Sequence, residues 1–477
     1  MLRSPRTSHS NGLPYASQRY PRARSAQSES GAADRAITAA LKSFRSVLVP
    51  KPDDRRPNPR PSPWNSTLPN QAILGFRVSA FFRVSGFGLR ISWLHALFSL
   101  QPPDVRAALP DAFLQSSRRL SYYLLVLVEF TRHLTASHSL TDGQVRRAVE
   151  LLIDEAVPAA TKADFLTHLA RKGETTAEIT AFVRELRARS VQPALDGELR
   201  SGEILDVVGT GGDRLSTFNI STTVALLVAA AGVRVAKHGN RASTSPIGSA
   251  DVMEALGIPF DLGPEEAARS LREHGFAFFF APKYHPAFRH IIPARKLCAE
   301  RGQSTIFNFL GPLLNPARPS AALIGVPRPD LCEPLARVLQ TLGMRRAMVV
   351  CGAVPGEGGT VRYLDELSPL GPTAIAEFYQ ERALTCSALP PESFPLQPAA
   401  LADLHGGDRE VNAAIIRRVL HGEERGPKRD AVLLNAAAAL FVAGLTRTMT
   451  EGWDLAAETI DGGKAGAKLA ELQNARR

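Results

Sequence analysis

Cysteine is scarce in this 477-residue chain: there are four, Cys298, Cys332, Cys351 and Cys386, far apart and in no CxxC pair. With no clustered histidine beside them, that spacing excludes a zinc site and a disulfide framework, and it fits a reducing, cytoplasmic setting. Long apolar runs are missing as well. The nearest candidate, residues 73–100, is broken by Arg77, Arg83 and Arg90, so no stretch of the roughly 20 apolar residues a bilayer demands is present. A membrane partner is not expected. Acidic residues are short in one region only: residues 1–124 hold 18 Lys+Arg against 6 Asp+Glu, leaving 39 against 40 for residues 125–477. The formal charge of +11 therefore belongs to the head. The remainder lacks the basic surplus that nucleic-acid binding needs.

That head also lacks periodicity. Pro, Ser and Arg dominate its first 70 residues, and Phe76-Arg77-Val78-Ser79 recurs as Phe82-Arg83-Val84-Ser85 and loosely as Leu89-Arg90-Ile91-Ser92. The period is too short for a stacking repeat. The composition suits an Arg- and Ser-rich transit segment, or upstream DNA translated ahead of the true start. The second reading is preferred. Because no methionine lies between Met1 and Met253, it requires a non-AUG start near Leu125, Val126 or Val128. Residues 1–124 are expected to be a non-globular basic extension.

From about residue 126 the pattern becomes helical. Thr141 and Gln144 form a capping-box pair ahead of Val145, Val149 and Leu152, which share one helical face. Thr161 is expected to cap a second helix that Gly173 ends. Thr175 with Glu178 opens a third, whose Ile179, Phe182, Val183 and Leu186 are spaced i, i+3, i+4, i+7. Residues 125–198 thus read as a small helical domain. After Ser201, short apolar runs alternate with helical stretches: strands are expected at 204–208, 233–236, 276–280, 323–326 and 348–351, with a helix over 220–231 stopped by Gly232. Such alternation predicts an α/β domain, residues 199–477, built on a mostly parallel sheet covered by helices. Ligands in such sheets sit beyond the carboxyl ends of the strands.

The motifs fall at those ends. The first strand runs into Gly209-Thr210-Gly211-Gly212-Asp213, followed by Thr217, Asn219, Ser221 and Thr222 at a helix start. Glycines let backbone approach an anion, and free N–H groups at a helix N-terminus attract phosphate, so a phosphate or pyrophosphate cradle is predicted. The next strand is followed by Lys237-His238-Gly239-Asn240-Arg241 and, further on, Gly248-Ser249-Ala250-Asp251. Two cations, an amide and several hydroxyls on one loop suit a polyanionic ligand, because charge-assisted hydrogen bonds are the strong ones.

A third block holds Tyr284-His285-Pro286-Ala287, Arg295, Thr305-Ile306-Phe307-Asn308 and Leu310-Gly311-Pro312-Leu313-Leu314-Asn315-Pro316. A fourth is Leu364-Asp365-Glu366-Leu367-Ser368; adjacent carboxylates of this kind can share a hard cation.

In this order and spacing, the four blocks resemble the anthranilate phosphoribosyltransferases over roughly residues 126–475. The pattern extends through Gly406-Gly407-Asp408, Asn412, residues 430–436 and residues 461–465. The resemblance implies a nucleoside phosphorylase/phosphoribosyltransferase-like fold, in which helices within 282–318 join the small domain. It implies transfer of a phosphoribosyl group from 5-phosphoribosyl 1-pyrophosphate to anthranilate, in a homodimer. The donor would be held by Gly209, Gly211, Gly212, Asp213, Thr217, Asn219, Ser221, Thr222, Lys237, Asn240 and Ser249. Anthranilate would meet Gly209, Asn240, His285, Arg295, Gly311 and Pro312, with Arg295 facing its carboxylate. Magnesium would be bound by Asp365, Glu366 and Ser221.

Some positions depart from the family pattern. Ten positions separate Arg295 from Thr305 where about seven are usual. Ser304 replaces a basic residue, Pro246 and Ile247 stand in place of Lys and Ser, and the loop 352–359 is longer. None removes a residue assigned a role. Two other functions were weighed: a pyrimidine nucleoside phosphorylase, which lacks the His285–Pro316 block, and a non-catalytic nucleic-acid binder, which would need basic charge after residue 124.

Overall fold

Thr141 opens the helix Asp142–Ile153 with the expected capping box, its hydroxyl receiving Gln144 N–H while the Gln144 side chain returns to Thr141 N–H. Thr175 and Glu178 do the same for Thr176–Ala188, and Gly173 ends Ala159–Lys172 at φ 85°. These details come from a computed structural model that describes residues 111–475 except 243–246 and 381–382. The Phe-Arg-Val-Ser repeats, most of the head and Pro246 lie outside the described residues.

Two helical expectations need correction. Thr161 caps nothing: the helix starts at Ala159 behind Pro158, whose fixed φ suits helix entry, and Thr161 is buried in its first turn. The helix Asp111–Thr135 begins ahead of the boundary expected at 125 and buries Tyr123, Leu127, Phe130 and Leu134. The polar run 115–119 interrupts the apolar pattern there, which is why periodicity does not reveal the helix onset. These helices share one core with Ile291, Ala294 and Cys298 of the segment 291–300. An ion pair, Arg301 to Asp164 at 3.0 Å, and a bond from Cys298 Sγ to Ala163 O tie that segment to Ala159–Lys172.

The sheet is ordered β3-β2-β1-β4-β5-β7-β8, with β6 also paired to β5. Its strands are β1 (Ile204–Gly209), β2 (Arg234–Gly239), β3 (Phe276–Phe280), β4 (Ala321–Gly325), β5 (Arg346–Pro355), β6 (Val361–Leu364), β7 (Thr373–Tyr379) and β8 (Thr385–Leu389). β1 to β5 pair in parallel; β6, β7 and β8 are antiparallel additions. Alternate residues serve opposite faces. Leu205, Val207, Leu323, Met348 and Val350 pack under the C-terminal helices, whereas Ala322, Ile324, Ala347 and Val349 share the bundle's core. Burial on both faces explains the unbroken apolar runs of the central strands. β6 and β8 are largely exposed, so they carry no apolar signature.

Candidate active site

β1, β2 and β4 each end in glycine, and packing gives the reason. A Cβ at Gly209 would lie 2.7 Å from Asp365 Oδ2, one at Gly325 would strike Asp365 O, and one at Gly239 would strike Ser249 Oγ. Bare backbone at these strand ends lets the loops carrying Asp365 and Ser249 fold across them. Gly325 is one functional glycine that motif reading missed. The ends of β1 and β2 border a cleft of about 520 Å³.

Asp365 and Glu366 sit in this cleft, almost wholly buried. Asp365 Oδ2 accepts from Gly211 N at 2.5 Å and from Thr210 Oγ1 at 3.3 Å, and Glu366 Oε1 accepts from Ser221 N at 3.2 Å. The glycine turn and the first turn of the helix Ile220–Ala230 thus face the acidic pair directly. Burial, and then the neighbouring Asp213 carboxylate, push Asp365 up to about 8. Glu366 is raised by burial and by Asp365. Lys237, also buried, donates to Val207 O at 2.7 Å and to Ser221 Oγ at 3.4 Å; burial lowers it to about 8 against the pull of Asp206 and Glu366.

The loop after Glu366 is clamped from a distant helix, Pro427–Val442. The fully buried Asn435 accepts Leu367 N–H at 2.9 Å and donates to Leu367 O at 3.0 Å and Ala431 O at 2.9 Å. Asn435→Ala strips the buried Leu367 N–H and O of these partners. A loss of about 2–3 kcal/mol is expected, measured as a lower urea midpoint at unchanged m value.

At the other end of the cleft lie His238, His285, Arg295, Phe307, Gly311 and Pro312. Arg295 makes no ion pair among the described residues; its guanidinium lies 5.9 Å from the Phe307 ring centroid, and burial lowers its pKa. His238 Nδ1 meets Gly311 O at 3.2 Å and His285 Nε2 meets Leu314 O at 3.0 Å. Carbonyls only accept, so both nitrogens carry the proton, and His238 Nε2 is left as an acceptor. Burial holds His238 near 3 and His285 near 4, so both are neutral at pH 7.

This neutrality has a consequence for stability. A depressed folded pKa means that His238 contributes fully above its unfolded value, about 6.5, and that the contribution is lost as pH falls toward 3. Between pH 7.5 and 5.0, His238→Asn is expected to lose about 2 kcal/mol less stability than the unaltered chain, by chemical denaturation at both pH values.

The structure brings most of the residues singled out from the sequence together along one cleft. Gly209, Gly211, Asp213, Thr217, Asn219, Ser221 and Thr222 line the cleft from the first motif, Lys237, Asn240 and Ser249 from the second, and His285, Arg295, Gly311 and Pro312 from the third. Gly212 does not line it; the turn directs it at Pro327, 3.3 Å from its Cβ position. Arg241 borders the cleft but is engaged elsewhere, pairing with Asp251 at 2.8 Å and Glu254 at 2.9 Å. Asp206, Asn315, His238 and Asn412 were not assigned roles. Asn315 Nδ2 donates to Asp206 Oδ2 at 2.8 Å and to Ala236 O at 2.7 Å, joining the third block to β1 and β2.

Unsatisfied polar atoms gather here. Six buried side-chain N or O atoms lack a hydrogen-bond partner among the described residues, and four of them belong to this cleft: Asp213 Oδ2, Thr222 Oγ1, His238 Nε2 and Asn412 Oδ1. Each such atom costs about 1–3 kcal/mol, a cost a polar ligand can offset. Among the described residues no three His, Cys, Asp or Glu side chains cage a metal by themselves. A cation at Asp365 and Glu366 would complete its shell with water and ligand oxygens, the habit of magnesium.

Fold and cleft define a glycosyl transferase made of two parts. Residues 128–190 match the helical bundle domain of the glycosyl transferase family, and residues 201–466 match its a/b domain. An anthranilate phosphoribosyltransferase of Symbiobacterium thermophilum is 46% identical over 343 residues, covering 72% of this chain and 95% of its own. The crystal structure of the enzyme of that name from Thermus thermophilus superposes with a TM-score of 0.65 at 39% identity, covering 73% of this chain and 99% of its own. The Saccharomyces cerevisiae enzyme, in complex with PRPP and Mg, matches with a TM-score of 0.63 at 26% identity, covering 73% and 97%. The chain belongs to the anthranilate phosphoribosyltransferase family.

Proposed function

We propose that this protein transfers the phosphoribosyl group of 5-phosphoribosyl 1-pyrophosphate to the amine of anthranilate, giving N-(5-phosphoribosyl)anthranilate and pyrophosphate, a step of tryptophan biosynthesis. One observation carries the proposal: a glycine turn, a buried lysine and two buried carboxylates converge at one end of a cleft whose other end holds an arginine with no acidic partner among the described residues.

The pyrophosphate would lie against Gly209, Gly211 and the first turn of Ile220–Ala230, with Lys237 supplying positive charge. Asp365, Glu366 and Ser221 would hold Mg2+. That ion supplies neutralisation of the charge that builds on the departing pyrophosphate. Arg295 would grip the anthranilate carboxylate, because a planar guanidinium makes two parallel bonds to it. His238 Nε2 would accept an N–H of the amine and point its lone pair at the ribose carbon. That amine is uncharged at neutral pH and needs no strong base, so the barrier falls through positioning and electrostatics.

A homodimer and a cytoplasmic location are part of this reading. The four free cysteines agree with a reducing compartment, and no described helix is long and apolar enough to cross a membrane. Incubation with anthranilate, the phosphoribosyl donor and magnesium tests the activity. Loss of anthranilate fluorescence that requires all three supports it, and unchanged fluorescence overturns it.

A further inference from the structure

Two cations of the helical bundle, Lys162 and Arg187, are buried and spend their hydrogen bonds on backbone carbonyls, with Asp154 and Asp206 acting on them only through space. Burying a cation without a direct ion pair is costly, and an apolar side chain would serve the bundle core better, so these positions call for an explanation beyond packing. Burial lowers Arg187 to about 10 and Lys162 to about 8, against the opposing pull of Asp206 and Asp154.

Both side chains reach backbone carbonyls of the segment 286–314, and Lys162 also holds one within the bundle. Arg187, on Thr176–Ala188, donates from Nε to Leu313 O at 2.7 Å. Lys162, on Ala159–Lys172, donates to Asp154 O at 2.7 Å and to His290 O at 2.9 Å. Leu313 lies in the turn Gly311–Leu314, and His290 ends the turn Pro286–His290 that leads into the helix carrying Arg295. The first turn is held most completely. Gly311 O meets His238 from β2, Leu313 O meets Arg187 from the bundle, and Leu314 O meets His285. Three of its four carbonyls therefore receive a side-chain donor, each from a different element.

We infer that Arg187 and Lys162 are positioning residues through which the helical bundle fixes the geometry of the acceptor end of the cleft, and hence its affinity for the aromatic acid. Neither borders the cleft, so each acts through the turn it holds. The inference rests on the proposed assignment of that end to anthranilate.

Steady-state kinetics of the full chain with both substrates varied test it. Arg187→Met is expected to raise the KM for anthranilate about tenfold and that for the phosphoribosyl donor less than about twofold, because a charge-assisted bond is lost and Leu313 O is left buried and unpaired. Lys162→Met should move the same constant in the same direction. Arg187→Lys keeps the charge and one donor and should restore most of the affinity, with about a threefold rise remaining; it also provides the readout should the Met variant fail to fold. Equal rises in both constants, or an unchanged anthranilate KM in folded Met and Lys variants of Arg187, overturn the inference while the functional reading stands. An unaltered chain with no anthranilate turnover overturns both.

Discussion

Asp365→Asn combined with Glu366→Gln is expected to lower turnover about a thousandfold and to abolish its response to magnesium, since a bound cation contributes several kcal/mol of charge stabilisation to a departing anion. The two amides keep an oxygen to accept from Gly211 N and Ser221 N, so the loop retains its hydrogen bonds. They also remove two buried carboxylates that repel each other. The variant should therefore unfold at the same urea concentration as the unaltered protein or a higher one. Activity that falls without loss of stability separates a metal role from damage to the fold. A magnesium titration unchanged from that of the unaltered chain would falsify the ligand assignment.

Arg295→Ala should raise the KM for anthranilate about a hundredfold and shift that for the phosphoribosyl donor by less than about threefold, the loss expected when one side of a buried charge pair is removed. The guanidinium contacts Phe307, and burial lowers its pKa. No ion pair engages it among the described residues, and on the proposed reading a carboxylate of fixed planar geometry would match its charge. Aniline, which has the amine but no carboxylate, should then distinguish poorly between variant and unaltered enzyme. A variant that loses affinity for both substrates equally would instead indicate collapse of the helix Ile292–Glu300.

The motif positions were legible because their chemistry is local. A glycine turn directly after an apolar strand, a hydroxyl-rich helix start and an adjacent acidic pair advertise themselves within a few residues, and the capping boxes at Thr141 and Thr175 do likewise. The orientation of single side chains was less legible. Gly212 and Arg241 belong to the right loops but face Pro327 and the Asp251–Glu254 pair, because neighbours far along the chain decide which way they point. Antiparallel β6 and β8 escaped notice since exposed edge strands carry no buried face to impose an alternating pattern.

By itself the sequence determined the fold class, the order of helical bundle and α/β domain, and the family, for each depends on short-range patterns of apolar spacing, glycine and polar residues. Tertiary structure alone decided how the site is held. Asn315 reaches Asp206 across 109 positions, Asn435 reaches Leu367 across 68 and Arg187 reaches Leu313 across 126. Such contacts exist only once helices have packed on both faces of the sheet, and no local propensity encodes which distant carbonyl or carboxylate a buried side chain will find.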